Sequence, residues 1–357
     1  MHTLSRRQMF RIAGVGALAV SISGYETRNS KARASQPKES LSTSRSQLGA
    51  AGMYQPSDAT TGVSDGTVLT PYNQATSADI YVTNDNQVFD SLDIYGRIII
   101  RAENTVIRNC YLRGVKTLPA YETAIVDCNS SSGKNTLIED CTIDPQFPNW
   151  MQNGITGHEF TARRNEIMRT NDGIGAFALP GSTTANVVIE SNWIHALAYW
   201  APTPLGPYEA EPDGTHNDGI QIQGGSSIHV VGNLIVGNCS QVAGQPKLNP
   251  KGLHSNGQSI MIQQLTAPLQ DCVIQRNWFD NAGQGIVINE SGRPAISLTL
   301  TQNYFGRHWY TFGQSSWYPI RISNRSKAHV DGLYTNYWDG SSQTLTEGIT
   351  AGIRYDH

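Results

Sequence analysis

Three observations predict an all-β solenoid of stacked coils over residues 67–357. They are a repeat whose shortest period is 24 residues, an apolar alternation of period two inside each repeat, and an asparagine that returns at one fixed place. The segments NTVIRNCYL (104–112), NTLIEDCTI (135–143), NVVIESNWI (186–194), SIHVVGNLI (227–235), DCVIQRNWF (271–279) and SLTLTQNYF (297–305) align without gaps. Each has an apolar residue three before the fixed position and another two after it. Cys110, Cys141, Asn192, Asn233, Asn277 and Asn303 hold that position, with Asn165 in FTARRNEI (160–167) and Asn336 near the end. The intervals run 31, 24, 27, 41, 44, 26 and 33 residues, as expected of a coil of constant length carrying variable insertions.

Taken along the chain, residues 1–34 read as a targeting segment. Arg6-Arg7 precede an apolar stretch from Ile12 to Ile22, and Ala32-Arg33-Ala34 offers a small-x-small cleavage site. That pattern resembles a twin-arginine export signal, so the mature chain is expected to be secreted or held in the cell envelope. Residues 35–66 are rich in Ser, Gln and Gly without periodicity and read as a flexible leader. From 67 onward the alternation makes the repeated segments strands, three short ones and their turns filling a coil. About 8–10 coils are expected, stacked at about 4.8 Å. Stacking sets like residues above one another, so each asparagine amide can satisfy backbone groups of the next turn. Cys110 and Cys141 take the first two places as small buried residues, close enough to permit a disulfide without requiring one.

Composition removes other classes. A net charge of -3 gives no field suited to nucleic acid, and no apolar run is long enough to insert the mature chain in a membrane. Five cysteines at 110, 128, 141, 239 and 272 match no zinc spacing. The asparagine column resembles that of the right-handed parallel β-helix found in pectate lyases, polygalacturonases and many phage tailspikes. The stretch from Gly66 to Gly114 is similar to the opening of secreted bacterial β-helix proteins. Right-handedness is what the resemblance implies, together with the usual hand of parallel crossovers.

A second recurring segment carries the functional expectation: NGITGH (153–158), DGIGAF (172–177), DGIQIQ (218–223), QSIMIQ (258–263), QGIVIN (284–289) and YPIRIS (318–323). With the isoleucines inward, His158, Gln221, Gln223, Gln263 and Arg321 should form an exposed polar strip suited to sugar hydroxyls and carboxylates. Two residues before the first isoleucine lie Asp172 and Asp218, expected on adjacent coils. Like charges that close raise one another's proton affinity, giving one acid and one base, the division of labour of a glycosidase. The competing readings are repeated Asp-Gly turns and a pair sharing a cation such as Ca²⁺.

The two longest insertions flank the coil of Asp218 and should wall a cleft above the pair. They bring Tyr199, Trp200 and Tyr208 as sugar-stacking surfaces, and His216, Lys251 and His254 as groups that handle protons or anions. Asn217-Asp218-Gly219 resembles the first catalytic element of polygalacturonases. That family's adjacent Asp-Asp pair and its later Lys are missing here, Ser323 standing in the place of the Lys. The leading expectation is an exported enzyme that hydrolyses a polysaccharide with Asp172 and Asp218, tuned by His216, with Asn217 among the substrate contacts and no cofactor required. The alternatives are a polysaccharide lyase acting on a uronate, with Lys251, His254, His216 or Arg321 as base, and a non-catalytic glycan-binding surface protein.

Overall fold

The computed structural model describes residues 54–116, 123–200, 214–237, 239–241, 257–289, 294–308, 318–348 and 350–356. The expected signal, and the leader as far as residue 53, lie outside them. Gln55–His357 forms one compact unit.

Short strands dominate this unit, and successive strands enter three parallel sheets of 10, 11 and 9 members in rotation. This is a right-handed parallel β-helix. Each coil contributes one strand to each sheet, so sequence neighbours occupy different sheets while residues one coil apart pair. In the 11-stranded sheet the inward column reads Ile80, Ile98, Val126, Ile155, Ile174, Ile220, Ile260, Ile286, Ile320 and Ile353. All but Ile80 are buried. Each fully buried isoleucine contributes roughly 1.5–3 kcal/mol, which is why the alternation survives coil after coil.

The turns before seven strands of the 10-stranded sheet each hold one residue in the left-handed region. Asn109, Asp140, Arg164, Ser191, Arg276 and Gln302 supply it with φ between 52° and 55°, and Gly232 with 68°. The next residue holds the fixed position of the repeat, Cys110 and Cys141 after the first two and an asparagine after the other five. Asn192 is fully buried, its Nδ2 donating to Ala162 O and to Asn233 Oδ1, both at 2.9 Å. Its backbone N–H also donates to Asn233 Oδ1 at 2.9 Å. The same three bonds recur from Asn165 to Asn192, Asn233 to Asn277, Asn277 to Asn303 and Asn303 to Asn336. An unpaired buried amide costs about 1–3 kcal/mol, so the column cancels a penalty that the tight turn would repeat in every coil. Cys110, Cys128, Cys141 and Cys272 are buried free thiols.

The last residues of the leader dock on the solenoid. Gly62 N donates to Arg164 O at 2.9 Å and Val63 N to Thr142 Oγ1 at 3.0 Å.

Candidate functional site

The site is built where the 10-stranded sheet hands the chain to the 11-stranded one. Here a second column of side chains, Asn153, Asp172, Asp218 and Gln258, caps backbone amides in the opposite sense to the asparagine column. Asp172 N donates to Asn153 Oδ1 at 3.1 Å, Asp218 N to Asp172 Oδ1 at 2.8 Å, and Gln258 N to Asp218 Oδ1 at 2.8 Å. The two aspartates therefore sit on adjacent rungs, and both are buried, at 3% and 0% exposure. One oxygen of each carboxylate is committed to a neighbour's N–H, so any chemistry falls to Oδ2. On Asp218 that oxygen accepts from Gln221 Nε2 at 2.9 Å, and Gln221 Oε1 in turn accepts from Gln223 Nε2 at 2.9 Å. Gln223 keeps its own Oε1 buried without a partner.

The glycines after the aspartates are not there for left-handed backbone. Gly173 and Gly219 are absent from the residues of positive φ. A Cβ on Gly173 would lie 2.4 Å from Gly219 O, and one on Gly219 would lie 2.7 Å from Ser259 O. The Asp-Gly pairs thus set an acid beside a close coil-to-coil approach.

Two further expectations change. The strip is not open: His158, Phe177, Gln223 and Gln263 are between 4% and 7% exposed, with Met261 and Val287 as closed. Only its alternate members Thr156, Gln221 and Arg321, and Asn289 and Ser323 at its C-terminal end, are half-exposed. Nor do Tyr199 and Trp200 present flat stacking surfaces. Both are buried, Trp200 in a small cluster with Trp150, Met151 and Ala198. Aromatic rings placed at the root of an insertion gain more by packing it onto the coil than by facing water.

The roots of the two long insertions do lie side by side, Leu197–Tyr199 pairing in parallel with Cys239–Gln241. Asn217 fastens the first of them. Its Nδ2 donates to Asn171 O at 2.6 Å and Ala198 O at 2.7 Å, and its Oδ1 accepts from Thr215 Oγ1 at 2.8 Å. At 1% exposure Asn217 is a clamp rather than an open sugar contact. His216 is half-buried beside it. Tyr208, Lys251 and His254 lie outside the described residues.

His158 is two rungs from Gln223, with Phe177 between them. Burial lowers its pKa while a bond to the Ser130 backbone opposes the shift, and its Nε2 is buried without a partner. Arg321 stands three rungs beyond Gln221, about 14 Å along the axis, and pairs with Asp356 at 2.8 Å. It does not join the aspartates. Among the described residues no group of three or more His, Cys, Asp or Glu side chains converges to hold a metal ion.

One acidic residue escaped the sequence reading. Asp127 lies on the outward column beside Thr156, in register with Ile99 on the other side. Burial raises its carboxyl above the ordinary range, against the Asn129 N–H that it accepts at 2.9 Å. The preceding coil offers TAIVDC (123–128) as its copy of the segment, but matching Ile125 to the inward isoleucine is one residue out of register: Val126 is the inward residue and Asp127 the outward one.

Coils in register, an inward isoleucine column and a side-chain column at each of two turns define a protein of the parallel β-helix class. Residues 72–246 match the family model of the right handed beta helix region. No curated protein and no solved structure matches the chain. No described helix is long and apolar enough to cross a membrane.

Proposed function

We propose that this chain is an exported carbohydrate-active enzyme that hydrolyses a polysaccharide, with Asp172 and Asp218 as its acid and base. One observation carries the reading: two buried carboxylates occupy adjacent rungs of a column whose outer members, Asn153 and Gln258, are amides. An amide caps the same N–H at less electrostatic cost, so two successive carboxylates need a reason beyond the turn. A pair of carboxyl groups flanking a glycosidic bond supplies one, by protonating the leaving oxygen and serving as base or nucleophile. Gln221 and Gln223 orient Asp218 Oδ2. The match to a fold common among polysaccharide-active enzymes and the twin-arginine pattern at Arg6-Arg7 support the setting.

A panel of neutral and acidic polysaccharides tests the proposal. Hydrolysis adds reducing ends without the ultraviolet absorption of an unsaturated uronate, and Asp218→Asn abolishes it. An Asp218→Asn protein that depolymerises at the full rate, or products that absorb in the ultraviolet, would rule the mechanism out.

A second reading has its own observation. Both Oδ1 atoms serve backbone amides and both side chains are buried, as in a purely architectural column. On that reading the chain binds glycans without cleaving them.

A further inference from the structure

The outward column that passes Thr156 and Gln221 ends in two arginines, Arg321 and Arg354, on successive rungs. Beside them opens a cavity of about 560 Å³, well away from the aspartates and lined by Tyr318, Arg325, Glu347, Arg354 and Tyr355 among others. A volume of this order suits a small ligand. Two guanidinium groups form its cationic wall, each placed over an aromatic ring. Arg325 lies 4.2 Å from the centroid of Tyr355 and Arg354 lies 4.9 Å from that of Tyr318. Contact with a ring restrains each guanidinium, so less side-chain entropy is lost when they bind.

The charges leave a surplus. Asp356 is shared by Arg321 and Arg354, and Glu347 pairs with Arg325 while accepting the Tyr334 hydroxyl at 2.5 Å. Among the described residues three guanidinium groups thus face two carboxylates. Arg354 meets Asp356 through Nε at 2.8 Å, lines the cavity, and has a side chain that is 40% exposed. Arg325 meets Glu347 through Nη2 and is 57% exposed. A pair of planar, preoriented donors with spare N–H groups matches the geometry of an oxyanion.

We propose that this C-terminal cavity is a binding site for an oxyanion group, held between Arg325 and Arg354. The group is a sulfate or phosphate ester, or a carboxylate, carried by a larger anionic molecule. The site is independent of Asp172 and Asp218, so its fate and that of the hydrolase reading can be told apart.

Titration of the full chain with sodium sulfate, inorganic phosphate and glucuronate, followed by calorimetry at low ionic strength, tests it. At least one anion binds, and the one that binds identifies the source: sulfate or phosphate an ester, glucuronate a carboxylated sugar. Arg354→Ala and Arg325→Ala each weaken binding by about tenfold or more, the loss expected of a charged hydrogen bond. Arg354→Lys, which keeps the charge and loses the fork, also weakens it, whereas Arg108→Ala at the distant exposed pair with Asp90 does not. Unchanged melting temperatures show that the variants fold. No binding of any of the three anions, or equal binding by Arg354→Ala and the parent, would overturn the proposal.

Discussion

The two side-chain columns of this solenoid perform one task with different chemistry. From Asn165 to Asn336 every member is an amide that both donates and accepts, so each rung satisfies a carbonyl, a backbone N–H and its neighbour. Between Asn153 and Gln258 the two middle members are carboxylates, which only accept. The amide column is complete in itself. The acidic one leaves Asp218 Oδ2 in need of an outside donor, and Gln221 supplies it. A neutral side chain would cap the same N–H, and on the proposed reading the carboxylates are there for chemistry.

Exchanging the chemistries breaks the comparison most sharply. Asn192→Asp puts a group that cannot donate opposite Ala162 O and Asn233 Oδ1. A buried charge left without compensation costs about 3–5 kcal/mol, so urea unfolding should move to much lower denaturant. An unchanged midpoint would mean that the amide column contributes little. Next in size is Asp218→Ala, which strips the acceptor from Gln258 N and the partner from Gln221. A loss of about 1–3 kcal/mol is expected by the same measurement.

The fold was legible in the sequence because burial repeats. An aliphatic residue, nearly always isoleucine, at the inward place and an asparagine at the fixed turn position from Asn165 onward recur with the coil, and recurrence is visible in one chain. The adjacency of Asp172 and Asp218 was legible for the same reason. What the segments could not convey was accessibility. Tyr199, Trp200 and Phe177 occupy outward or loop places and are nonetheless buried, Trp200 against Trp150 and Met151 from an earlier coil. The role of Gly173 and Gly219 was hidden too, because a close approach to the next coil's carbonyl leaves the same Asp-Gly signature as a turn.

Two smaller effects sharpen the contrast between neutral and ionisable positions near the site. Burial depresses the pKa of His158, so the unfolded chain takes up a proton that the folded one resists. Stability from this group is full above the ordinary histidine pKa of 6.5 and is lost as pH falls below it. His158→Gln should flatten that decline in melting temperatures recorded between about pH 7 and 5. Burial raises the pKa of Asp127, so the sign reverses: the folded chain holds the proton more tightly and loses stability as pH rises above the ordinary carboxylate value. Asp127→Asn keeps an acceptor for Asn129 N and removes the charge. Its melting temperature should equal or slightly exceed the parent's at pH 7, with the advantage vanishing near pH 4. A lower value at pH 7 would mean that the ionised carboxylate is stabilising.

The most direct test of the central claim measures two properties of Asp218→Asn in one preparation. Asparagine retains the Oδ1 that Gln258 N requires, and the Gln221 and Gln223 amides can turn over to meet its Nδ2, Gln223 having a spare Oε1. The account predicts a chain as stable as the parent within about 1 kcal/mol that has lost polysaccharide hydrolysis. A variant equally stable and equally active would contradict it and leave the acidic column as architecture alone.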